Sequence, residues 1–383
     1  MSFENLNRMY TKSSKWDMQR IKHGEDIIVL SVADSDYKTC DKITDAIIKR
    51  AEHGAFGYTY CDNEYYEVLI NWFKNEYGYN INRESVIITP GILVSLGVVV
   101  RVLCDKKVLI NTPVYYRFHN LGKNNNKELV INKLKNNNGE YSIDFVDLEN
   151  KLKEVDLYVL CNPHNPVGRV WTYEEIKKIV DLCKKHDVIL VSDEIHCDLV
   201  LFENKFTSVG KFIDVYDKII IATAPSKTFN IAGLQLANTI IPNLELLLKV
   251  KNELSSLELL GPNLFGIYAT ITAYKDCKDY LVEQNKHIEN NYLLLKDFFN
   301  KYISNAIVSP LEGTYLAWID MSFTNLSSTK ITNELAKYKL IVSDGIIYGT
   351  EADKYIRVNL ACSKEQLMEG LNRIKNFIDD LYL

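Results

Sequence analysis

The chain has 383 residues, of which 47% are hydrophobic and 25% are charged, a balance typical of a globular protein and not of a disordered or fibrous one. Lys and Arg total 45 against 50 Asp and Glu, and the resulting net charge of −5 disfavours general binding to nucleic acids or anionic membranes. At about 150 residues per domain, the length predicts two domains.

The eight cysteines are scattered singly, and no two form a CxxC pair. This spacing disfavours a structural zinc site and is typical of reduced thiols. The first 20 residues are polar, and the most apolar segment, residues 86–103, is interrupted by Pro90, Gly91 and Arg101. We therefore expect no metal, no signal peptide, no membrane span and a cytoplasmic location.

Short apolar runs alternate with amphipathic stretches between about residues 85 and 240. Uniformly apolar, β-branched runs are typical of strands that are buried on both faces of a parallel sheet. The alternation therefore predicts right-handed βαβ units and an α/β fold. The runs are Val86–Ile88, Lys107–Ile110, Leu157–Leu160, Val188–Val191 and Ile219–Ile221.

Two predicted helices begin with the pattern of a capping box and continue with apolar residues on one face. They are Thr172–His186, with Thr172 and Glu175 as the box, and Ser363–Asp380, with Ser363 and Gln366.

The C-terminal part of the chain has a different pattern. Tyr280–Tyr302 predicts one long helix that connects two domains, and shorter strands follow it, at Tyr315–Ile319 and Tyr355–Val358. We expect a large domain at residues 48–280. Residues 1–47 and 281–383 together should form a smaller α+β domain.

Polar segments follow three of the apolar runs, where a parallel α/β sheet places its ligands. These segments are Asn162–Arg169, Ser192–His196 and Thr223–Gly233. Each taken alone has a structural interpretation as a turn, a helix start or a solvated charge. Together they bring an amide, a carboxylate and an amine to neighbouring strand ends, a combination that suits a pyridine-containing cofactor.

With these segments the chain resembles the fold-type I pyridoxal-phosphate enzymes, the aspartate aminotransferase superfamily, and within it the MalY/PatB group of cystathionine β-lyases. The resemblance implies pyridoxal 5′-phosphate as cofactor, and a large domain with a mostly parallel sheet beside a smaller α+β domain. The segments that carry it are Lys15–Asp17, Val32–Asp34, His53–Thr59, Asn162–Trp171, Ser192–His196, Pro225–Gln235, Gly313–Trp318 and Ile356–Cys362.

The resemblance also implies roles at the three strand ends. Lys227 would hold the cofactor through its ε-amine and serve as the base for the substrate α-proton. Asp193 would pair with the pyridine nitrogen, and Asn165 would donate to the phenolic oxygen. His196 stands where aspartate aminotransferase has a tyrosine, and two interpretations stay open, a cofactor contact and a core histidine.

A glycine turn followed by a helix N-terminus is a ready phosphate site. The resemblance places the cofactor phosphate on the backbone N–H groups of Gly91, Ile92 and Leu93, with the Ser226 hydroxyl as a further donor. The serine and the arginine that aminotransferases usually place on the phosphate are replaced here by Ala224 and Gln235. The phosphate would therefore be held with less positive charge.

Four further residues receive roles from the resemblance. Tyr115 would stack on the cofactor ring, with Tyr116 as the near alternative. Tyr58 would reach the active site of a second subunit, which predicts a homodimer with shared active sites. Arg357 would bind the carboxylate of an amino-acid substrate through its guanidinium fork, and Ala33 would line the same pocket through its backbone.

Three hypotheses for the function stay open. The first is a β-eliminating carbon–sulfur lyase that releases a thiol, pyruvate and ammonia from cystathionine, cysteine or a related S-substituted cysteine. The second is an aminotransferase, which uses the same residues, and the third is a regulatory protein that binds another protein. The subgroup resemblance and Gln235 favour the lyase. No GxGxxG follows a predicted strand, which disfavours a nicotinamide dehydrogenase.

Overall fold

The structure is a computed structural model that describes residues 3–382. The strands are β1 (Ile28–Val29), β2 (Val86–Thr89), β3 (Lys107–Thr112), β4 (Glu128–Lys133), β5 (Lys135–Asn137), β6 (Glu140–Ser142), β7 (Leu157–Cys161), β8 (Ile189–Asp193), β9 (Ile219–Thr223), β10 (Ala237–Ile240), β11 (Ile307–Val308), β12 (Leu316–Asp320), β13 (Leu340–Ile341), β14 (Ser343–Asp344) and β15 (Tyr355–Asn359). The α-helices are α1 (Asp17–His23), α2 (Asp41–Glu52), α3 (Asn63–Tyr77), α4 (Ile92–Leu103), α5 (His119–Asn124), α6 (Phe145–Leu152), α7 (Tyr173–His186), α8 (Leu244–Ser256), α9 (Leu264–Asp276), α10 (Lys278–Tyr302), α11 (Ser328–Lys337) and α12 (Lys364–Leu381).

A seven-stranded sheet with the order β2-β10-β9-β8-β7-β3-β4 forms the centre of the molecule. Six strands run in one direction, and β10 alone runs against its neighbours β2 and β9. The five apolar runs of the sequence all lie in this sheet, and every residue of β2, β7, β8 and β9 is buried. The α/β fold with a mostly parallel sheet is therefore confirmed.

A second, antiparallel sheet with the order β11-β12-β15-β14 follows the long helix α10. The N-terminal segment joins this part of the chain, because β1 pairs in parallel with β13. The predicted long helix is confirmed and begins two residues earlier, at Lys278.

The two predicted capping boxes have different outcomes. Thr172 and Glu175 form both hydrogen bonds of the box at the start of α7. At the start of α12 the Ser363 side chain accepts from the Gln366 N–H at 3.2 Å, but the Ser363 N–H donates to Asn5 Oδ1 at 2.8 Å and the Gln366 Oε1 accepts from Asn5 Nδ2. The second box is thus wrong in its returning bond, because the Asn5 amide pairs with both the donor and the acceptor of that bond.

The predicted domain boundaries fall at or inside helices. The boundary at residue 48 lies within α2, which packs on α9, and the boundary at residue 280 lies in the first turn of α10. The division of the chain at these points stays a prediction. Across residues 3–382, none of the helices combines the length and the apolar character needed to cross a membrane.

Candidate active site

Three neighbouring parallel strands bring the polar segments to one edge of the large sheet. β7, β8 and β9 are adjacent, and the pairing of Cys161 with Asp193 and of Asp193 with Ala222 aligns their carboxyl ends. Asn165 follows β7, Asp193 ends β8 and Lys227 follows β9. The sheet therefore places the predicted amide, carboxylate and amine side by side.

These three residues line a cavity of about 620 Å³. Every predicted cofactor- or substrate-binding residue lies on its wall: Ala33, Gly91, Ile92, Leu93, Tyr115, Asn165, Asp193, His196, Ser226, Lys227 and Arg357. Residues of the second sheet and of the short 3-10 helix Gly345–Tyr348 close the opposite side. The cavity therefore lies between the two sheets.

Tyr58 is the exception among the predicted site residues. It lies outside the cavity wall, in a segment without helix or strand, and its side chain is fully exposed. Phe56 and Tyr60 beside it are also exposed, at 61% and 80%. The chain thus presents an aromatic segment to the outside, away from its own cavity.

Asp193 is a buried carboxylate with few partners. It is 5% exposed, and its Oδ1 accepts one backbone N–H, from Ile195 at 3.1 Å. Burial raises the pKa of Asp193 to about 7, although the Ile195 N–H and Lys227 both act to lower it. The hydrogen bond and the nearby amine do not offset the cost of burying the Asp193 charge, so we call this carboxylate under-compensated. A cationic group beside it would favour its ionised form.

Lys227 donates from Nζ to the Ala33 carbonyl oxygen at 2.6 Å. Burial lowers the pKa of Lys227, and Arg357 lowers it further, whereas Asp34 and Asp193 act to raise it. The lowered pKa makes the neutral amine, the form that attacks carbonyl groups and accepts protons, more accessible than in an exposed lysine.

His196 is 3% exposed and neutral, because burial lowers its pKa to about 3. Its ring stands edge-on to Tyr315 with centroids 5.8 Å apart, and its Nδ1 is buried without a hydrogen-bond partner. An unpaired buried nitrogen on the wall of the cavity supports a ligand contact over a purely structural role.

Arg357 and Asn165 are joined directly by a hydrogen bond that the sequence does not predict. Arg357 Nη1 donates to Asn165 Oδ1 at 2.9 Å, and Nη2 donates to the Ser31 carbonyl at 2.8 Å and to Ser343 Oγ at 3.2 Å. The guanidinium also lies over the Tyr348 ring at 4.9 Å. The contacts fix the plane of the guanidinium and leave the Asn165 amide nitrogen available as a donor.

The predicted phosphate position lies at the N-terminus of α4. Gly91 caps this helix, and its carbonyl accepts from the Val94 and Ser95 N–H groups at 3.1 and 3.2 Å. The N–H groups of Ile92 and Leu93 precede the first intrahelical bonds, as in any helix. A Cβ at Gly91 would meet open space, so the backbone there is accessible to an anion.

The two substituted phosphate positions contribute nothing to the wall. Ala224 is buried and Gln235 is exposed, and neither lines the cavity. Both Tyr115 and Tyr116 do line it, with their rings edge-on at 5.1 Å, so the choice between them as the stacking aromatic stays open.

The donors and acceptors of the wall fit a phosphorylated pyridine aldehyde. The under-compensated carboxylate of Asp193 suits a ring nitrogen that carries a proton, and the amine of Lys227 suits an aldehyde carbon. The α4 N-terminus suits the phosphate. Two buried nitrogens without partners, His196 Nδ1 and Arg357 Nε, remain for a bound molecule.

Comparisons with known proteins identify the family and the fold of the chain. The family model of class I and II aminotransferases matches residues 25–374. Cystathionine beta-lyase PatB of Bacillus subtilis is 36% identical over 96% of this chain and 97% of its own, and MalY of Escherichia coli is 28% identical over 97% of each chain. The crystal structure of cystalysin from Treponema denticola, which contains a pyridoxal 5′-phosphate cofactor, superposes with a TM-score of 0.96 at 32% identity over 99% of both chains.

The family match covers most of the chain, and the similarity to PatB extends over both sheets and the cavity between them. The chain therefore belongs to the class I and II aminotransferase family, within the group that contains PatB and MalY.

Proposed function

We propose that this protein is a pyridoxal-phosphate-dependent carbon–sulfur β-lyase. It converts an S-substituted cysteine and water into a thiol, pyruvate and ammonia. The observation that carries the proposal is the convergence of Asn165, Asp193 and Lys227 in one cavity, with Arg357 facing them. The similarity to PatB and to cystalysin supports the lyase over the aminotransferase.

Pyridoxal phosphate supplies an electron sink for the negative charge that develops at the substrate Cα. Asp193 holds a proton on the ring nitrogen through its charge, and Asn165 donates from Nδ2 to the phenolic oxygen. The backbone of Gly91, Ile92 and Leu93 and the Ser226 hydroxyl bind the phosphate.

Arg357 binds the substrate carboxylate. Three of the five guanidinium N–H donors are used by Asn165, Ser31 and Ser343. Two remain for the substrate. Because the plane of the group is already fixed, little rotational freedom is lost when the carboxylate binds.

Lys227 removes the Cα proton. Its neutral amine accepts this proton and can return it to the leaving sulfur, so one group serves first as base and then as acid. In an aminotransferase the same residues would act without expulsion of a thiol.

The decisive measurement compares the two reactions on one preparation. Pyruvate release from cystathionine and from S-substituted cysteines is measured without a keto acid, and amino transfer is measured with a panel of 2-keto acids. We expect stoichiometric thiol and pyruvate. Keto-acid-dependent turnover without pyruvate release would replace the lyase by an aminotransferase.

We also propose a cytoplasmic homodimer with shared active sites. The exposed segment with Phe56, Tyr58 and Tyr60 supports a second copy of this chain as its partner, because three exposed aromatic side chains in five residues are costly in water. Eight unpaired cysteines in the described part of the chain suit a reducing compartment.

The dimer is tested by mixing two inactive variants. Tyr58→Phe and Lys227→Ala each cripple both sites of a homodimer. A mixed dimer collects both defects in one site if Tyr58 serves the other subunit, so activity rises on subunit exchange. Demonstrated exchange without a gain places Tyr58 outside the partner's site.

A further inference from the structure

The Ala33 carbonyl oxygen receives two side-chain donors. Lys227 Nζ donates to it at 2.6 Å and the Tyr315 hydroxyl donates to it at 3.0 Å. Tyr315 directly precedes β12 and is fully buried. The proposed function gives no task to this tyrosine, although one oxygen atom links it to the amine.

The loop that contains Ala33 does not depend on Tyr315 for its shape. Asn359 Nδ2 donates to the carbonyls on either side of Ala33, those of Val32 at 2.6 Å and Asp34 at 2.8 Å. Arg357 holds the Ser31 carbonyl. With both flanks fixed, the Tyr315 hydrogen bond acts mainly on the oxygen that it contacts.

We propose that Tyr315 is a positioning residue that acts on Lys227 through the Ala33 carbonyl and favours the neutral amine. The O–H dipole directs its positive end at the same oxygen that accepts from Nζ. It thereby reduces the acceptor strength that the oxygen offers to an ammonium group and opposes a positive charge at Nζ. The proposal rests on the proposed function only in making Lys227 the base.

Charged groups from several elements face Lys227 and Tyr315. Asp34 from the loop after β1 and Asp193 from β8 both favour the ammonium form of Lys227, and Arg357 from β15 opposes it. Tyr315 itself faces Asp34, Tyr37, Arg357 and Arg8, and burial raises the pKa of its hydroxyl well above the ordinary value, so it remains a donor. Tyr315 thus acts in the same direction as Arg357, against the tendency of the Asp34 and Asp193 carboxylates to favour the ammonium form of Lys227.

The Tyr315 ring stands edge-on to His196, with centroids 5.8 Å apart. His196 is neutral, because burial lowers its pKa to about 3, and it adds no charge to the pair. A phenylalanine at residue 315 would keep this ring contact and remove the hydroxyl alone.

The test measures the ionisation of Lys227 without relying on turnover. The full-length chain, freed of cofactor, is pulse-labelled with acetic anhydride between about pH 6 and pH 10, and the acetylated fraction at Lys227 is read by peptide mass spectrometry. Only the neutral amine reacts, so the midpoint reports its pKa. In Tyr315→Phe we expect the midpoint to rise by about 0.5 to 1 pH unit, which is a three- to tenfold smaller neutral fraction below the midpoint.

Tyr37→Phe is the matched control. Tyr37 is also fully buried and lies near Tyr315, but its hydroxyl donates to Gln284 at 3.2 Å and not to Ala33. The Lys227 midpoint should stay within about 0.2 pH unit of the parent in this variant, since no bond to the carbonyl is lost. Tyr315→Met, in which a flexible side chain fills the ring volume, serves as the second variant if Tyr315→Phe does not fold.

An unchanged midpoint in the Tyr315 variants would overturn the proposal, as would a shift to lower pH or an equal rise in Tyr37→Phe. These outcomes are independent of the reaction catalysed, because the labelling uses no substrate. Failure of the lyase assay with a raised midpoint would refute the proposed function and leave the role of Tyr315 standing.

Discussion

Two groups of ionisable residues, one near the N-terminus and one on the cavity wall, differ in how their charges are compensated. In the N-terminal ionic cluster, formed by Arg8, Lys15, Asp34 and Asp36, Lys15 pairs with Asp36 at 2.8 Å and Arg8 pairs with Asp34 at 2.9 Å. Trp16 and Gln366 also donate to Asp36, each at 2.8 Å. Both Lys15 and Asp36 are completely buried, yet each has a close partner of opposite charge.

The cavity group of Asp193, His196 and Lys227 has no such close pairs. Asp193 has a raised pKa, and both His196 and Lys227 have lowered ones, with burial as the first cause in each case. The contrast shows that burial alone does not separate a structural charge from a reactive one. The separating feature is whether the protein itself supplies the counter-charge.

Lys227→Ala should have the largest effect of any single change. Without the amine no side chain removes the Cα proton, and a general base alone contributes about 10²–10⁴-fold in rate. Pyruvate release is the measurement, and Lys205→Ala, a change at an exposed lysine, is the control. Turnover within tenfold of the parent would contradict the assignment, and the folded state should persist because no ion pair is lost.

Lys15→Met tests the compensated cluster. Removing the ammonium leaves the buried Asp36 carboxylate without its closest counter-charge, and we expect the free energy of unfolding to fall by about 3–5 kcal/mol in urea titrations. Lys38→Met removes an exposed lysine that pairs with Asp41 at 3.7 Å, and should cost less than about 1 kcal/mol. Equal losses in the two variants would mean that Asp36 does not depend on Lys15 as its counter-charge.

Asp193→Asn tests the uncompensated group and should change stability in the opposite direction. The carboxyl has a pKa of about 7 in the folded chain against about 4 when unfolded, so the folded state binds its proton more tightly. Stability is therefore lost as the pH rises from about 4 to about 7. The cofactor-free variant should exceed the parent at pH 8 by up to about 4 kcal/mol in urea unfolding, and match it near pH 4. A loss at pH 8 would show that Asp193 is compensated after all.

Ser343→Ala should have the smallest effect. It removes one of the three hydrogen bonds that orient Arg357. A net hydrogen bond is worth about 0.5–1.5 kcal/mol, so KM should rise about two- to tenfold while kcat changes little. Ser256→Ala, on an exposed helix end, is the control. A fall in kcat with constant KM would mean that Ser343 acts on the reacting atoms and not on the orientation of Arg357.

Local pattern predicted five of the seven strands of the large sheet, and the resemblance carried by the motifs at their ends predicted residues of the cavity wall. Local pattern could not predict contacts between distant segments. Tyr315 and Ala33 are 282 positions apart, and Arg357 and Asn165 are 192 apart. Neither contact therefore produces a repeating pattern in the local sequence. The strand β10 was not predicted, because Asn238 and Thr239 interrupt the uniformly apolar pattern that marks a strand buried on both faces.

The second predicted capping box also shows that a local pattern does not predict contacts between distant segments. Ser363 and Gln366 have the right residue types at the right spacing, and the first bond forms as expected. The returning bond is nevertheless absent, because the Ser363 N–H donates to Asn5 Oδ1, 358 positions away, and the Gln366 Oε1 accepts from Asn5 Nδ2. A local rule is overridden wherever the folded chain offers a stronger partner.

The contacts between the loop at residues 31–36 and the C-terminal part of the chain also bear on the order in which the fold is completed during synthesis. This loop leaves the ribosome early. The residues whose side chains donate hydrogen bonds to its carbonyl and carboxylate oxygens leave late: Tyr315, Arg357, Asn359 and Gln366. A nascent chain of about 300 residues can assemble the large sheet and still lack one wall of the cavity. Catalytic competence is thus acquired only when nearly the whole chain has been released, and a ribosome that stops early yields no active enzyme.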